Sequence, residues 1–295
     1  MPALAEVHGE HLTTLAGGLF ITNCTDLTNV TLGNLSLLAQ DWNMTPPLDF
    51  GMGLLVRENP RLQVLNLGQL DDPSYMNVTA EISLDLPSLQ FISMGLYLSG
   101  VTGLSAPVLS SAGAINISSS SMTEINFPEL SWSNSDISIA DNPLLTSILF
   151  PKLEFATSTL TIGNNSHLET VDVSSMNNLY GLNISHNGRL LELNLPVLLG
   201  MGSSSFVGPL DLSQKLLLNI ESNANLTNVS MPVLQTVGKD IGALANSSGI
   251  VVKNNPELQI LDAFPMLKFV NGSVNISGDF SRYELPLNSS NPAKH

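Results

Sequence analysis

Cys24 is the only thiol in this chain of 295 residues, Asp71 and Asp72 form its one adjacent acidic pair, and its five histidines are His8, His11, His167, His186 and His295. A nucleophilic cysteine needs an imidazole or a cationic neighbour to lower its pKa, and nothing around Cys24 in the sequence indicates one. A lone thiol also excludes an intrachain disulfide framework and a cysteine-based zinc site. Paired carboxylates could cleave a glycosidic bond as acid and base or hold calcium. Asp71 and Asp72, however, precede Pro73 in what reads as a solvated insertion, and no acidic set recurs in phase on one face. The histidines are scattered, and there is no Ser–His–Asp constellation or glycine-rich phosphate loop. These residues predict no catalytic, cofactor-binding or metal site.

Asparagine offers another chemistry. The acceptor pattern for N-linked glycans, N-x-S/T, occurs at Asn23, Asn29, Asn34, Asn43, Asn77, Asn116, Asn164, Asn183, Asn225, Asn228, Asn246, Asn271, Asn275 and Asn288. Random placement of 29 asparagines in a chain this rich in serine and threonine gives roughly five such sites. A glycan also needs an acceptor that points away from the core, so the positions must be judged against the elements that carry them.

Those elements form an internal repeat. Frames of the form L-x-[IV]-x-x-N-x-x-L-x-x-[LIV]-x-[LVFM], often followed by P-x-L, begin at Leu19, Leu54, Ile115, Ile137, Leu160, Leu182, Leu218, Ile250 and Val274, with a weaker one at Leu96. Where the frames are regular, the steps are 22 to 24 residues. Positions 1 and 3 alternate inward as in a half-buried strand. Position 6 is Asn59, Asn142, Asn165, Asn187, Asn223 and Asn255, with Cys24, Ser120 and Asp279 as variants. A buried amide there, carrying both a donor and an acceptor, would satisfy backbone groups left unpaired where the chain turns out of its strand. Stacked coils would repeat it as a ladder, and losing one amide, as in Asn165→Ala, is expected to cost about 1–3 kcal/mol. Proline at position 15 (Pro151, Pro196, Pro232) suits a bend and opposes helix. Among the sequons, Asn116, Asn183 and Asn275 fall at outward position 2, Asn29 and Asn228 at position 11, and Asn164 at position 5 beside the ladder.

The predicted fold is mainly β: a right-handed parallel β-solenoid of leucine-rich coils of about 22–24 residues. It is a single domain over residues 1–286, with insertions near 68–80, 201–215 and 240–249, and a disordered tail at 287–295. Pro2–Glu10 matches Pro232–Asp240 in its Pro, Leu and Val spacing, so the first coil is expected to be incomplete and the chain to be a fragment or a shortened relative.

Composition narrows the partners. Hydrophobic residues make up 43% and charged residues 12%, with a net charge of -15 and no basic block. Disorder is disfavoured, and so are nucleic acid and an anionic membrane surface as partners. No stretch approaches the roughly 18 apolar residues of a membrane span, and Met1–Gly18 lacks the pattern of a signal peptide.

The combination L-x-I-x-x-N-P-x-L-x-x-I-x-F-P-x-L, shown best at Ile137–Leu153, together with VNISGDF at Val274–Phe280, resembles the fungal GPI-anchored cell-wall organization proteins. Their repeats are similar to the receptor L domains of growth-factor receptors. The resemblance runs from Pro2 to about Pro286. It implies a secreted, N-glycosylated, non-enzymatic protein at the cell wall or the outer face of the plasma membrane, supporting wall organization and integrity. Its expected partners are wall polysaccharide or other wall proteins. The chain departs from the family in lacking the flanking cysteines, the Ser/Thr-rich stalk and the anchor signal. Two other readings compete with this one. A ligand-binding receptor-like ectodomain would use exposed aromatics such as Tyr97, Trp42, Trp132 or Tyr180. A polysaccharide-active β-helix enzyme would use carboxylates such as Asp72.

Overall fold

Alternation of apolar and polar residues at positions 1 to 4 makes each repeat open with a strand whose odd positions face inward, and the structure places them so. Leu54, Ile115, Ile137, Leu160, Leu182, Leu218 and Ile250 at position 1 are all buried, as are the residues two positions later. The structure, a computed structural model, describes residues 4–38, 53–202, 216–239, 248–262, 264–279 and 282–283. The expected insertions at 201–215 and 240–249 and the tail at 287–295 therefore lie largely or wholly outside the described residues.

Among the described residues every element is a strand and every pairing is parallel. This is a mainly β, solenoid-like arrangement with three sides. The first side carries positions 1 to 4, as in Ile137–Ala140, which pairs with Ser111–Ser118 before it and Phe155–Gly163 after it. The second side carries three-residue strands such as Ser147–Leu149, in register with Glu124–Asn126 and Thr170–Asp172. The third side carries short strands such as Trp132–Ser133, and Phe155–Gly163 and Asn178–Ser185 run from it around the corner into the first. Strands of successive coils join into a sheet of 15 strands over the first and third sides. One continuous apolar core fills the interior, with Phe127 and Phe150 stacked 5.3 Å apart at its centre.

Two tight turns bend each coil. Leu145 N–H donates to Asn142 C=O at 3.2 Å across Pro143, and Leu153 N–H donates to Phe150 C=O at 3.1 Å across Pro151. Both prolines occupy the second turn position, where the fixed φ fits and no N–H is needed.

Position 5 holds a feature the repeat pattern did not single out. Asn23, Glu58, Ser119, Asp141, Asn164, His186, Ser222 and Asn254 all have φ between 50° and 59°, and Gly100 has φ 75°. After inward positions 1 and 3, simple alternation would turn position 5 inward. The left-handed residue resets that phase, so position 5 faces out and position 6 faces in. The cost of about 1–2 kcal/mol for a residue with a Cβ falls least on Asn, Asp and Gly, which account for five of these nine sites. Glu58→Gly is therefore expected to leave stability unchanged or raise it by about 0.5 kcal/mol, while Glu58→Val lowers it by about 2 kcal/mol. Urea midpoints at constant m measure the difference.

Two expectations are corrected. Residues 68–80 are not an insertion: Tyr75–Thr79 is a first-side strand, with Met76 in register between Leu54 and Leu96. A coil therefore begins at Met76 and runs 20 residues to Leu96, which starts another of 19. Both coils are shorter at the first corner, where their strands Ser83–Asp85 and Gly103–Ser105 follow sooner than usual. No position-6 amide fits in them, and Ile82 and Val101 fill the interior instead. That shortening hid Met76 from a search for the full frame. Second, the match of Pro2–Glu10 with Pro232–Asp240 would put Val7 at the level of Val237 on the third side. Val7 instead pairs with Val30 on the second side, and Thr14–Leu15 takes the third-side place beside Leu37–Leu38. The apolar spacing around the two corners is similar enough for a shift by one side to preserve it.

Candidate functional site

The position-6 asparagines come together as a column of interlocked amides. Asn165 Oδ1 accepts from the Asn142 backbone N–H at 3.0 Å, and its Nδ2 donates back to Ile139 C=O at 3.0 Å. The same two contacts link Asn187 to Asn165 N–H and Ile162 C=O, Asn223 to Asn187 N–H and Ile184 C=O, and Asn255 to Asn223 N–H and Ile220 C=O. Asn142 holds Ser120 N–H and Ile117 C=O in this way. Each side chain thus satisfies the corner of the coil before it. Asn142, Asn165, Asn187 and Asn223 are wholly excluded from solvent.

Cys24 stands at the corner with its N–H bonded to Asn59 Oδ1 at 3.0 Å and its thiol facing Thr22 C=O. Asn59 Nδ2 donates to Ile21 C=O at 2.7 Å. The two short coils separate this pair from the longer run that starts at Ser120, whose hydroxyl bonds to Ser118 C=O at 3.0 Å. Asp279 is exposed and stands apart from the run. Gly278 before it has φ 159°, an extended conformation, so position 6 of that coil is not turned inward.

The candidate chemical residues do not converge. Asp71 lies on the regular path of the coil, with its N–H on Ser36 C=O and its C=O accepting from Gln90 N–H at 3.0 Å. His8 meets Glu6 at 3.0 Å in the open. His167 Nδ1 lies 2.6 Å from Pro143 C=O, a contact that requires the proton on Nδ1. That nitrogen cannot then accept from Ser166 Oγ at 3.2 Å, so the pair is no activated nucleophile. His11 and His186 are exposed, and His295 lies outside the described residues. Among the described residues no three His, Cys, Asp or Glu side chains are grouped to hold a metal ion. Ion pairs run between neighbouring coils on the surface, as in Arg61–Asp26 and Lys152–Glu129, both at 2.6 Å.

The sequon asparagines occupy the outside. Asn23, Asn34, Asn164, Asn225 and Asn275 are exposed, and Asn29, Asn77, Asn116, Asn183, Asn228 and Asn271 are half-buried. Asn43, Asn246 and Asn288 lie outside the described residues. Every asparagine reported as buried, the ladder residues and Asn219, heads no sequon. Asn164 and Asn165 show the separation within one dipeptide: the first is exposed with φ 56°, the second is fully enclosed.

Two aromatic pairs were not legible as pairs, because their members lie a coil apart in sequence. Tyr75 and Tyr97 sit 5.3 Å apart on the first side, and Trp132 and Phe155 sit 5.2 Å apart on the third. Trp132 Nε1 donates to Asn134 Oδ1. Tyr180 is buried near the corner where the third side turns into the first, and burial raises its hydroxyl pKa. Trp42 lies outside the described residues.

No family model matches the chain, and no solved structure matches it. The chain is 28% identical over 148 residues to a "Cell surface GPI-anchored protein" of Arthroderma benhamiae (strain ATCC MYA-4681 / CBS 112371), a match covering 41% of this chain. That stretch spans 36% of the relative's own length. No helix among the described residues is long and apolar enough to cross a membrane.

Proposed function

We propose that this chain is the leucine-rich, N-glycosylated ectodomain of a fungal cell-surface protein that contributes to wall organization and integrity without catalysing a reaction. Its coils wind right-handedly, as in receptor L domains, and it is held at the plasma membrane or wall through a lipid anchor. Its mechanism is display: a rigid three-sided body presents its faces to wall polysaccharide or to other wall proteins, while glycans keep an apolar repeat soluble. The relative named as a GPI-anchored cell-surface protein supports the location.

The observation that carries the reading is the division among the asparagines. Those that head sequons lie at the surface wherever they are described, and those that are buried head none. A purely compositional excess of Asn, Ser and Thr would scatter acceptors over both sets.

Mass spectrometry of the protein from its native source, before and after enzymatic removal of N-glycans, tests this. A large loss of mass, with several sequon asparagines converted to aspartate, is expected. A mass that stays at the 31.5 kDa of the bare chain would overturn the reading.

A further inference from the structure

On the first side, Asn77, Tyr97, Asn116 and Ser138 stand next to one another on four successive coils, at the same outward position. Beside them runs a second row, two residues earlier in each strand: Tyr75, Gly95, Ala114 and Asp136. Gly95 and Ala114 make a low floor between the larger ends of this row. Tyr97 uses that space. Its ring lies over Gly95, where an added Cβ would come within 2.6 Å of it, and meets the Tyr75 ring at 5.3 Å. Both tyrosines remain partly open to solvent. The Nδ2 of Asn77, the atom a glycan would occupy, donates to the Tyr75 hydroxyl at 2.9 Å.

Both asparagines that flank Tyr97 head sequons, N-V-T at Asn77 and N-I-S at Asn116. Each sequon is an extended strand, so its hydroxyl residue, Thr79 or Ser118, shares the outward face with the acceptor amide. Parallel strands lie about 4.8 Å apart, which puts both linkage atoms within one sugar ring of Tyr97.

We propose that Tyr97, backed by Tyr75, is a docking platform for the first N-acetylglucosamine of N-glycans on Asn77 and Asn116. The proposal rests on the secretory reading above and adds where the sugar lies. The apolar C–H face of the pyranose packs on the tyrosine rings, while its hydroxyl and acetamido groups meet the amides, Ser138 and water. An amphipathic ring of this kind suits an aromatic bordered by small polar residues better than an aliphatic partner would. Burial first, then Tyr75 and Asp136, push the Tyr97 hydroxyl above its ordinary range, so it stays protonated as a donor to a sugar oxygen. Asp136 is already engaged, accepting from Ser158 Oγ at 2.5 Å and Thr159 N–H at 3.0 Å. In the attachment step a secretory oligosaccharyltransferase uses a lipid-linked diphosphate sugar. The C1–O bond to phosphate breaks, the C1–Nδ2 bond forms, and the amide releases one of its two protons. The proton that remains keeps the contact between Asn77 and Tyr75.

The test uses the full chain secreted from a glycosylating host, with peptide mapping of sequon occupancy and of tyrosine nitration by tetranitromethane. Three forms are compared: intact, trimmed by endoglycosidase to the first sugar, and fully deglycosylated by amidase. Nitration of Tyr97 is expected to be about two- to tenfold slower in the first two forms than in the third, the weight of one aromatic contact. The buried Tyr180 should not change among them. The double variant Asn77→Gln/Asn116→Gln should nitrate at the fast rate even with its other glycans in place. Equal rates in all three forms, with Asn77 and Asn116 occupied, would overturn the platform and leave glycosylation standing. Occupancy elsewhere but not at these two residues would also overturn it. No glycan at any sequon would remove the secretory reading as well.

Discussion

Replacing Asn165 by alanine is expected to lower the unfolding free energy by about 2–5 kcal/mol, more than the loss of a single side-chain amide would suggest. The substitution removes the only described partners of two buried backbone groups on the preceding coil, Asn142 N–H and Ile139 C=O. Each orphaned group costs about 1–3 kcal/mol when water cannot reach it. The Asn142 and Asn187 side chains also lose their shared contacts at 3.3 Å, so the defect spreads to the neighbouring coils. Asn165→Asp separates the two contributions. A carboxylate keeps the acceptor for Asn142 N–H but sets an oxygen against Ile139 C=O in a site with no solvent access, and should be at least as damaging as alanine. Asn164→Gln, one residue away, is exposed and should change stability by less than about 1 kcal/mol beyond the loss of any glycan. Urea unfolding with far-ultraviolet circular dichroism measures all three. Substitution at Asn165 leaves the Asn164-x-Ser166 sequon intact, so glycosylation does not confound the comparison. An alanine variant within 0.5 kcal/mol of the parent, a figure typical of surface changes, would mean that the corner is not sealed by these amides.

How far such contacts can be read from sequence depends on which physical rule fixes them. The asparagine column is legible because one polar residue recurs at a fixed place in an apolar frame, and only a partner in the next coil can satisfy it. The outward sequons at Asn116, Asn183 and Asn275 are legible for the same reason of phase. The left-handed turn at position 5 left a fainter trace, since Glu58, Ser119, His186 and Ser222 occupy it beside the expected Asn, Asp and Gly. Nothing in their side chains announces φ near 57°; the demand comes from the need to bring position 6 inward. The coil at Met76 was lost because it omits the corner that carries the signature, while keeping the strand alternation of Met76 and Val78. The pairing of Tyr75 with Tyr97 required the register between coils, which that omission also concealed. Asp279 shows the converse, a residue of suitable type at the counted position that does not turn inward.

Phe150→Ala is expected to be the most damaging single truncation in the core, at about 3–5 kcal/mol. Phe150 has no solvent exposure, and its ring is stacked on Phe127 in the preceding coil at 5.3 Å with an interplanar angle of 8°. Its N–H is held by Asp172 C=O at 2.8 Å, and its C=O accepts the turn bond from Leu153 N–H. Truncation leaves those backbone bonds in place, so the loss isolates side-chain packing and the cavity that replaces it. Parallel coils fixed from both sides cannot close over such a void without breaking register, which puts the expected cost in the upper part of the range. Phe150→Leu refills most of the volume but forfeits the aromatic contact, and about 1–2 kcal/mol is expected for it. Leu144→Ala, at an exposed corner position of the same coil, should fall within about 0.5 kcal/mol of the parent. In a stacked array each coil is coupled chiefly to its neighbours, so weakening one interface lets the two flanking blocks unfold separately. Hydrogen exchange should therefore show protection falling first in the coils on either side of Phe150, with a lower m in the first urea transition. A uniform loss of protection at unchanged m would instead mean that the whole body unfolds as one unit, and that the stacked rings contribute only their own packing.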